Sequence, residues 1–188
     1  MKTQINEKGF TLLEAIIAIS IVSILIASAG FSLSGRSASA QLKSAAADLT
    51  GHLNLARISA VRDTRPWAVV FEAASNSYRL LSNSGEDFAP EDPADPVDWS
   101  DGDETLYRTV TLAKGISFNS EHGSYDGNPV DDGITHSDNR IIFNPNGTCS
   151  ANGTIYLSTA GGKTYVITTH YATGQIRIHS NDGSGWSY

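Results

Sequence analysis

Glu14 is the residue whose setting demands a chemical explanation. From Phe10 to Phe31 the chain runs for 22 residues with Glu14 as its only charge. A helix rises about 1.5 Å per residue, so this run reaches roughly 33 Å, enough to cross a bilayer core of about 30 Å. A carboxylate inside such a span costs about 2.5–3.5 kcal/mol, so it calls for a partner. Cleavage between Gly9 and Phe10 would supply one, because the freed α-amino group of Phe10 is a cation four residues before Glu14.

Other groups with chemical potential are weaker candidates. Asp98, Asp101, Asp103 and Glu104 supply oxygens of the kind calcium takes, but their spacing is not that of an EF-hand loop, and a solvated acidic loop is the expectation. His52, His122, His136, His170 and His179 show neither HExxH nor Cys–His spacing, so no zinc site is expected. No Gly-x-Ser-x-Gly elbow is present, and no catalytic residue and no cofactor is assigned. Asn146-Gly147-Thr148 and Asn152-Gly153-Thr154 fit the glycosylation sequon but are read as turns. Cys149 is the sole cysteine and cannot form an intramolecular disulfide.

The 188 residues suit one membrane helix and one globular domain. Formal charge is −7; residues 1–9 carry Lys2, Lys8 and Glu7, a net +1, so their removal leaves −8. Such acidity argues against generic nucleic-acid binding, which needs clustered Lys and Arg. Lys2 and Lys8 precede the apolar run and Arg36 and Lys43 follow it, so charge bias alone decides little about orientation. A secretory signal peptide is the competing reading, with Ala27-Ser28-Ala29 or Ala38-Ser39-Ala40 as its cleavage site, but it leaves Glu14 without a role.

The elements that must position this terminus follow from periodicity. Gly30 and Ser32-Leu33-Ser34-Gly35-Arg36-Ser37 form a weak stretch for a helix. Helical spacing then returns from Ala38 to about Arg62, with Leu42, Ala46, Leu49, Leu53, Ala56 and Ala60 on one stripe expected to pack under a sheet. Pro66 ends it. Strands are expected at Trp67–Ala73, Ser77–Ser82, Leu106–Leu112, Ile116–Asn119, Arg140–Asn144, Thr154–Thr159, Thr164–His170 and Gln175–Ser180, paired antiparallel through short turns. Lys114-Gly115 reads as the turn of a hairpin between the third and fourth. Two long loops interrupt the pattern. Residues 84–104 hold nine acids, three prolines and no Lys or Arg, and residues 120–139 are rich in Gly and Asp.

Gly9-Phe10-Thr11-Leu12-Leu13-Glu14, after a leader with Lys2 and Lys8, resembles the type IV prepilin motif. The resemblance implies cleavage between Gly9 and Phe10 by a prepilin peptidase, methylation of Phe10, and a role for Glu14 in neutralising a neighbour's N-terminal amine during assembly. It also places the N-terminus in the cytoplasm. Leu55-Ala56-Arg57-Ile58-Ser59-Ala60-Val61-Arg62 resembles the helix end of GspH/FimT-type minor pilins. So do the block from Ile141 to Gly147, Gly153-Thr154-Ile155-Tyr156-Leu157 and Gly174-Gln175-Ile176-Arg177. Phe31 stands where many pilins have proline, and Gln175 where the Gly-Arg pattern has arginine.

The resemblance implies an α+β, pilin-like fold: leader 1–9, transmembrane helix 10–31, helix continuation 32–65 and β-rich periplasmic domain 66–188. The implied function is that of a non-enzymatic minor pseudopilin of type II secretion near the pseudopilus tip, single-pass in the inner membrane. Its implied partners are other major and minor pseudopilins, the peptidase and the inner-membrane assembly platform. The alternative is a minor type IV pilin serving priming, adhesion or DNA uptake. For DNA uptake the C-terminal region offers only Arg177 and Lys163.

Overall fold

The computed structural model describes residues 11–83, 104–128, 131–160 and 162–187, and the side chains of all of these except 27–37. Gly9, Phe10 and the acids Asp98, Asp101 and Asp103 lie outside the described residues. The chain divides into two units, Met1–Ser37 and Ala38–Tyr188. Helix α1, Leu12–Asp63, begins in the first and ends in the second.

In the first unit every described helical side chain, from Leu12 to Ile26, is exposed. Among the described residues no helix is long and apolar enough to cross a membrane. The side chains described there cover 12–26, part of the 22-residue apolar run from Phe10 to Phe31.

In the second unit α1 turns one stripe inward. Leu42, Ala46, Leu49, Leu53, Ala56 and Ala60 are each 0% exposed, the six positions picked out by their spacing of four and three. The helix stops at Asp63, and Thr64 takes a left-handed φ of 54° just before Pro66.

Among the described residues nine antiparallel strands form two sheets. Strands β1 (Trp67–Glu72), β2 (Ser77–Asn83), β3 (Glu104–Thr111) and β5 (Arg140–Phe143) make a sheet of order β3-β2-β1-β5. Strands β4 (Ile116–Ser117), β6 (Gly153–Thr159), β7 (Thr164–His170), β8 (Gln175–Asn181) and β9 (Trp186–Ser187) make the other, of order β4-β6-β7-β8-β9. Val69, Phe71, Tyr78, Leu80, Ile141 and Phe143 from the first sheet, and Ile155, Leu157 and Ile167 from the second, close one core with the helix stripe. Burying such side chains contributes about 1.5–3 kcal/mol each.

One sequence expectation is corrected. The strands flanking Lys114-Gly115 are not a hairpin: β3 pairs with β2, and β4 pairs with β6. Gly115, at φ 87°, turns the chain from one sheet to the other. Asn76, left-handed at φ 48°, holds that crossing. Its carbonyl accepts the Leu112 N–H at 2.8 Å and its Oδ1 accepts the Phe118 N–H at 3.2 Å. A turn signal reports local backbone and carries no information on which sheet each flanking strand joins.

The described part of the 120–139 loop is tied to β6. Thr135 N–H donates to Thr154 O at 3.0 Å and Tyr156 N–H to Gly133 O at 2.8 Å. Gly133 has φ 80°, and a Cβ there would lie 2.4 Å from the Phe118 carbonyl carbon, so only glycine fits.

Candidate functional site: the start of the helix and its hold on the sheets

Glu14 sits in the first turn of α1, exposed, on a helix that starts with a side-chain cap. Thr11 Oγ1 accepts the Glu14 N–H at 3.3 Å, and Thr11 O accepts the Ala15 N–H at 3.2 Å. Thr11-Leu12-Leu13-Glu14 has the Thr-x-x-Glu spacing of a capping box, and the threonine half of that box is formed. The carboxylate also stands at the helix end where the peptide dipoles favour negative charge. This signal was readable in the sequence and passes unnoticed when Glu14 is considered only as a membrane charge.

The rest of the described surface suits apolar surroundings. Leu12, Leu13, Ile16, Ile17, Ile19 and Ile24 are all more than half exposed. The two serines hide their hydroxyls on their own helix: Ser20 Oγ donates to Ile16 O and Ser23 Oγ to Ile19 O, each at 2.8 Å. From Leu12 to Ile26 the one charged side chain is therefore Glu14. A neighbour offering an amine at that height would meet a carboxylate, and elsewhere only hydrocarbon and satisfied hydroxyls.

The far end of the helix is fastened by Arg57. Its Nε donates to Gly147 O at 3.0 Å and its Nη2 to Thr173 O at 2.8 Å. One side chain thus ties α1 to the turn after β5 and to the turn between β7 and β8. Gly174 makes the approach possible: its φ is 56°, and a Cβ there would lie 2.2 Å from Gly147 O and 2.8 Å from Arg57 Nε. Nothing in the sequence around Arg57 or Gly174 signals that the two meet.

The remaining sequence candidates are accounted for as structure. Asn146 Oδ1 accepts the Thr148 N–H at 3.0 Å and Asn152 Oδ1 accepts the Tyr171 N–H at 2.7 Å, so both sequon asparagines hold turns. Cys149 is buried, and that burial pushes its thiol up and away from thiolate chemistry. His122 Nε2 lies 3.0 Å from Gly162 O, and the His179 ring stacks on Tyr125 at 4.7 Å between centroids. Arg177 lines an open cavity of about 910 Å³ whose rim includes Asp126 and Asp131, and Lys163 pairs with Asp182 at 3.6 Å. The C-terminal cations are thus accompanied by carboxylates.

Comparison with known proteins agrees with this geometry. No curated protein matches the chain. Among the solved structures that match it are two of the minor pseudopilin EpsH from the type II secretion system of Vibrio cholerae. One is 13% identical, with a TM-score of 0.50, over 77% of this chain and 99% of that one. The other is 14% identical, with a TM-score of 0.50, over 73% of this chain and 92% of that one. At these identities the likeness is one of fold. The prokaryotic N-terminal methylation motif matches residues 5–30. The pattern of the type II transport protein GspH matches residues 45–174, more than half of the chain. On that match the chain belongs to the GspH family of type II transport proteins.

Proposed function

We propose that this chain is a minor pseudopilin whose first helix anchors it in the inner membrane and joins it to the pseudopilus through Glu14. The observation that carries the reading is the isolation of Glu14 on the described start of α1, where every other side chain from Leu12 to Ile26 is apolar or a serine bonded to its own helix. In hydrocarbon an unpaired carboxylate is strongly disfavoured, and an amine from a neighbouring subunit removes the penalty.

The reading has three parts. A prepilin peptidase cuts between Gly9 and Phe10 and Phe10 is methylated. Residues 10–31 span the inner membrane with the N-terminus cytoplasmic and the β domain periplasmic. The domain then docks on other pseudopilins near the filament tip, above the assembly platform, and supports export of folded proteins. No chemistry on a substrate is needed; the chain works by binding.

Processing is tested by mass spectrometry of the chain purified from membranes. The expected N-terminus is methylated Phe10. A mature N-terminus at Gly30 or Gln41, or an intact leader, overturns the prepilin reading.

A further inference from the structure

Three side chains that the assembly reading leaves unused, His52, Tyr78 and Arg108, meet between α1 and strands β2 and β3. The Nδ1 of His52 lies 2.7 Å from the Tyr78 hydroxyl, and its Nε2 lies 3.2 Å from Arg108 Nη1. A guanidinium can only donate. Nε2 is therefore the acceptor, the single ring proton sits on Nδ1, and that proton is donated to Tyr78 Oη. His52 is held in one tautomer by a residue from each of two strands.

The charges facing the ring are Arg108 from β3 and Asp48, one turn earlier on α1; Tyr78 from β2 is the other titratable group against it. Burial pushes the Tyr78 phenol up, so it stays neutral. Burial and then Arg108 hold the imidazole below its ordinary value, while Asp48 pulls it the other way.

We propose that His52 is a proton-operated latch between α1 and the edge strand β3, exchanging Arg108 for Asp48 as its partner when it takes up a proton. The neutral ring accepts the Arg108 hydrogen bond. A proton from solvent occupies the Nε2 lone pair, removes that acceptor and sets two cations against each other. The charged ring is then drawn to Asp48, four residues back on the same helix face, while Nδ1–H stays on Tyr78. A cavity of about 240 Å³ lined by Asp48, Tyr78, Val110 and Leu112 adjoins the cluster and gives the side chains room to rearrange. β3 is susceptible because it is a sheet edge, paired with β2 alone among the described residues, with Leu106 and Tyr107 more than half exposed. The latch is closed above the His52 titration and open below it. It does not depend on the assembly role of Glu14.

The test is NMR of the full-length chain in detergent micelles, with ring-labelled histidine, from about pH 8 down to about pH 4.5. At the upper end the His52 shifts report the Nδ1–H tautomer. On acidification the β3 amides, residues 104–111, move with the same midpoint as His52. Arg108→Gln raises the His52 midpoint, Asp48→Asn lowers it, and His52→Gln abolishes the β3 response. An Nε2–H tautomer in the wild-type chain overturns the proposal without recourse to any variant. So does a β3 response that ignores the His52 midpoint, one that persists in His52→Gln, or an unchanged midpoint in Asp48→Asn.

Discussion

At the scale of single residues, His136 shows how burial sets chemistry here. It is 4% exposed, its Nε2 lies 3.1 Å from Thr169 Oγ1, and its Nδ1 has no partner among the described residues. Burial pushes the imidazole down to about 4. The unfolded chain therefore binds a proton in the window between about 4 and the ordinary imidazole value while the folded chain does not, so stability is lost as pH falls through that window. The expected loss is about 3 kcal/mol, read by thermal denaturation across the window, with a visibly flatter profile in His136→Gln. A profile equally steep in the variant would place the proton elsewhere. Nothing in the sequence separates His136 from His170, because the burial is tertiary: Gly153 lets the ring in, and a Cβ there would lie 2.5 Å from it. Glu14 stands out in the sequence for the opposite reason, being a lone charge in an apolar run.

At the scale of elements, the α1 stripe was legible in full because helical period and burial are the same information. Leu49 is 0% exposed and Ile58 is 64% exposed on the same helix. Leu49→Ala should cost about 2–5 kcal/mol and Ile58→Ala within about 0.5 kcal/mol, both measured by denaturant unfolding of the chain in detergent. Equal costs would mean that the inward face has been misassigned. The strands were legible to within a residue or two at most ends. The partners of β3 and β4 were not, since β4 is two residues long and its partner β6 lies far along the chain. The short β9, which pairs with β8, gave no alternation to read. The Arg57 clamp was hidden because it binds backbone carbonyls, which carry no residue signature.

At the scale of the whole molecule, charge argues against DNA uptake. Net charge is −7, Lys163 is paired with Asp182, and Arg177 shares its cavity with Asp126 and Asp131. Duplex binding at physiological salt should be weaker than about 1 μM by fluorescence anisotropy; a tighter, salt-sensitive affinity would contradict this. Family membership and fold speak to the domain, whereas the claim that the chain works by joining a filament rests on Glu14. Glu14→Gln keeps the side chain's shape and removes its charge, so membrane insertion and leader cleavage should be normal. Co-purification of this variant with the other pseudopilins, alongside secretion in the same cells, is the direct test. The account predicts a several-fold loss of co-purification and reduced secretion, as expected when a neighbour's amine is left unpaired in an apolar core. Wild-type co-purification with full secretion would contradict it.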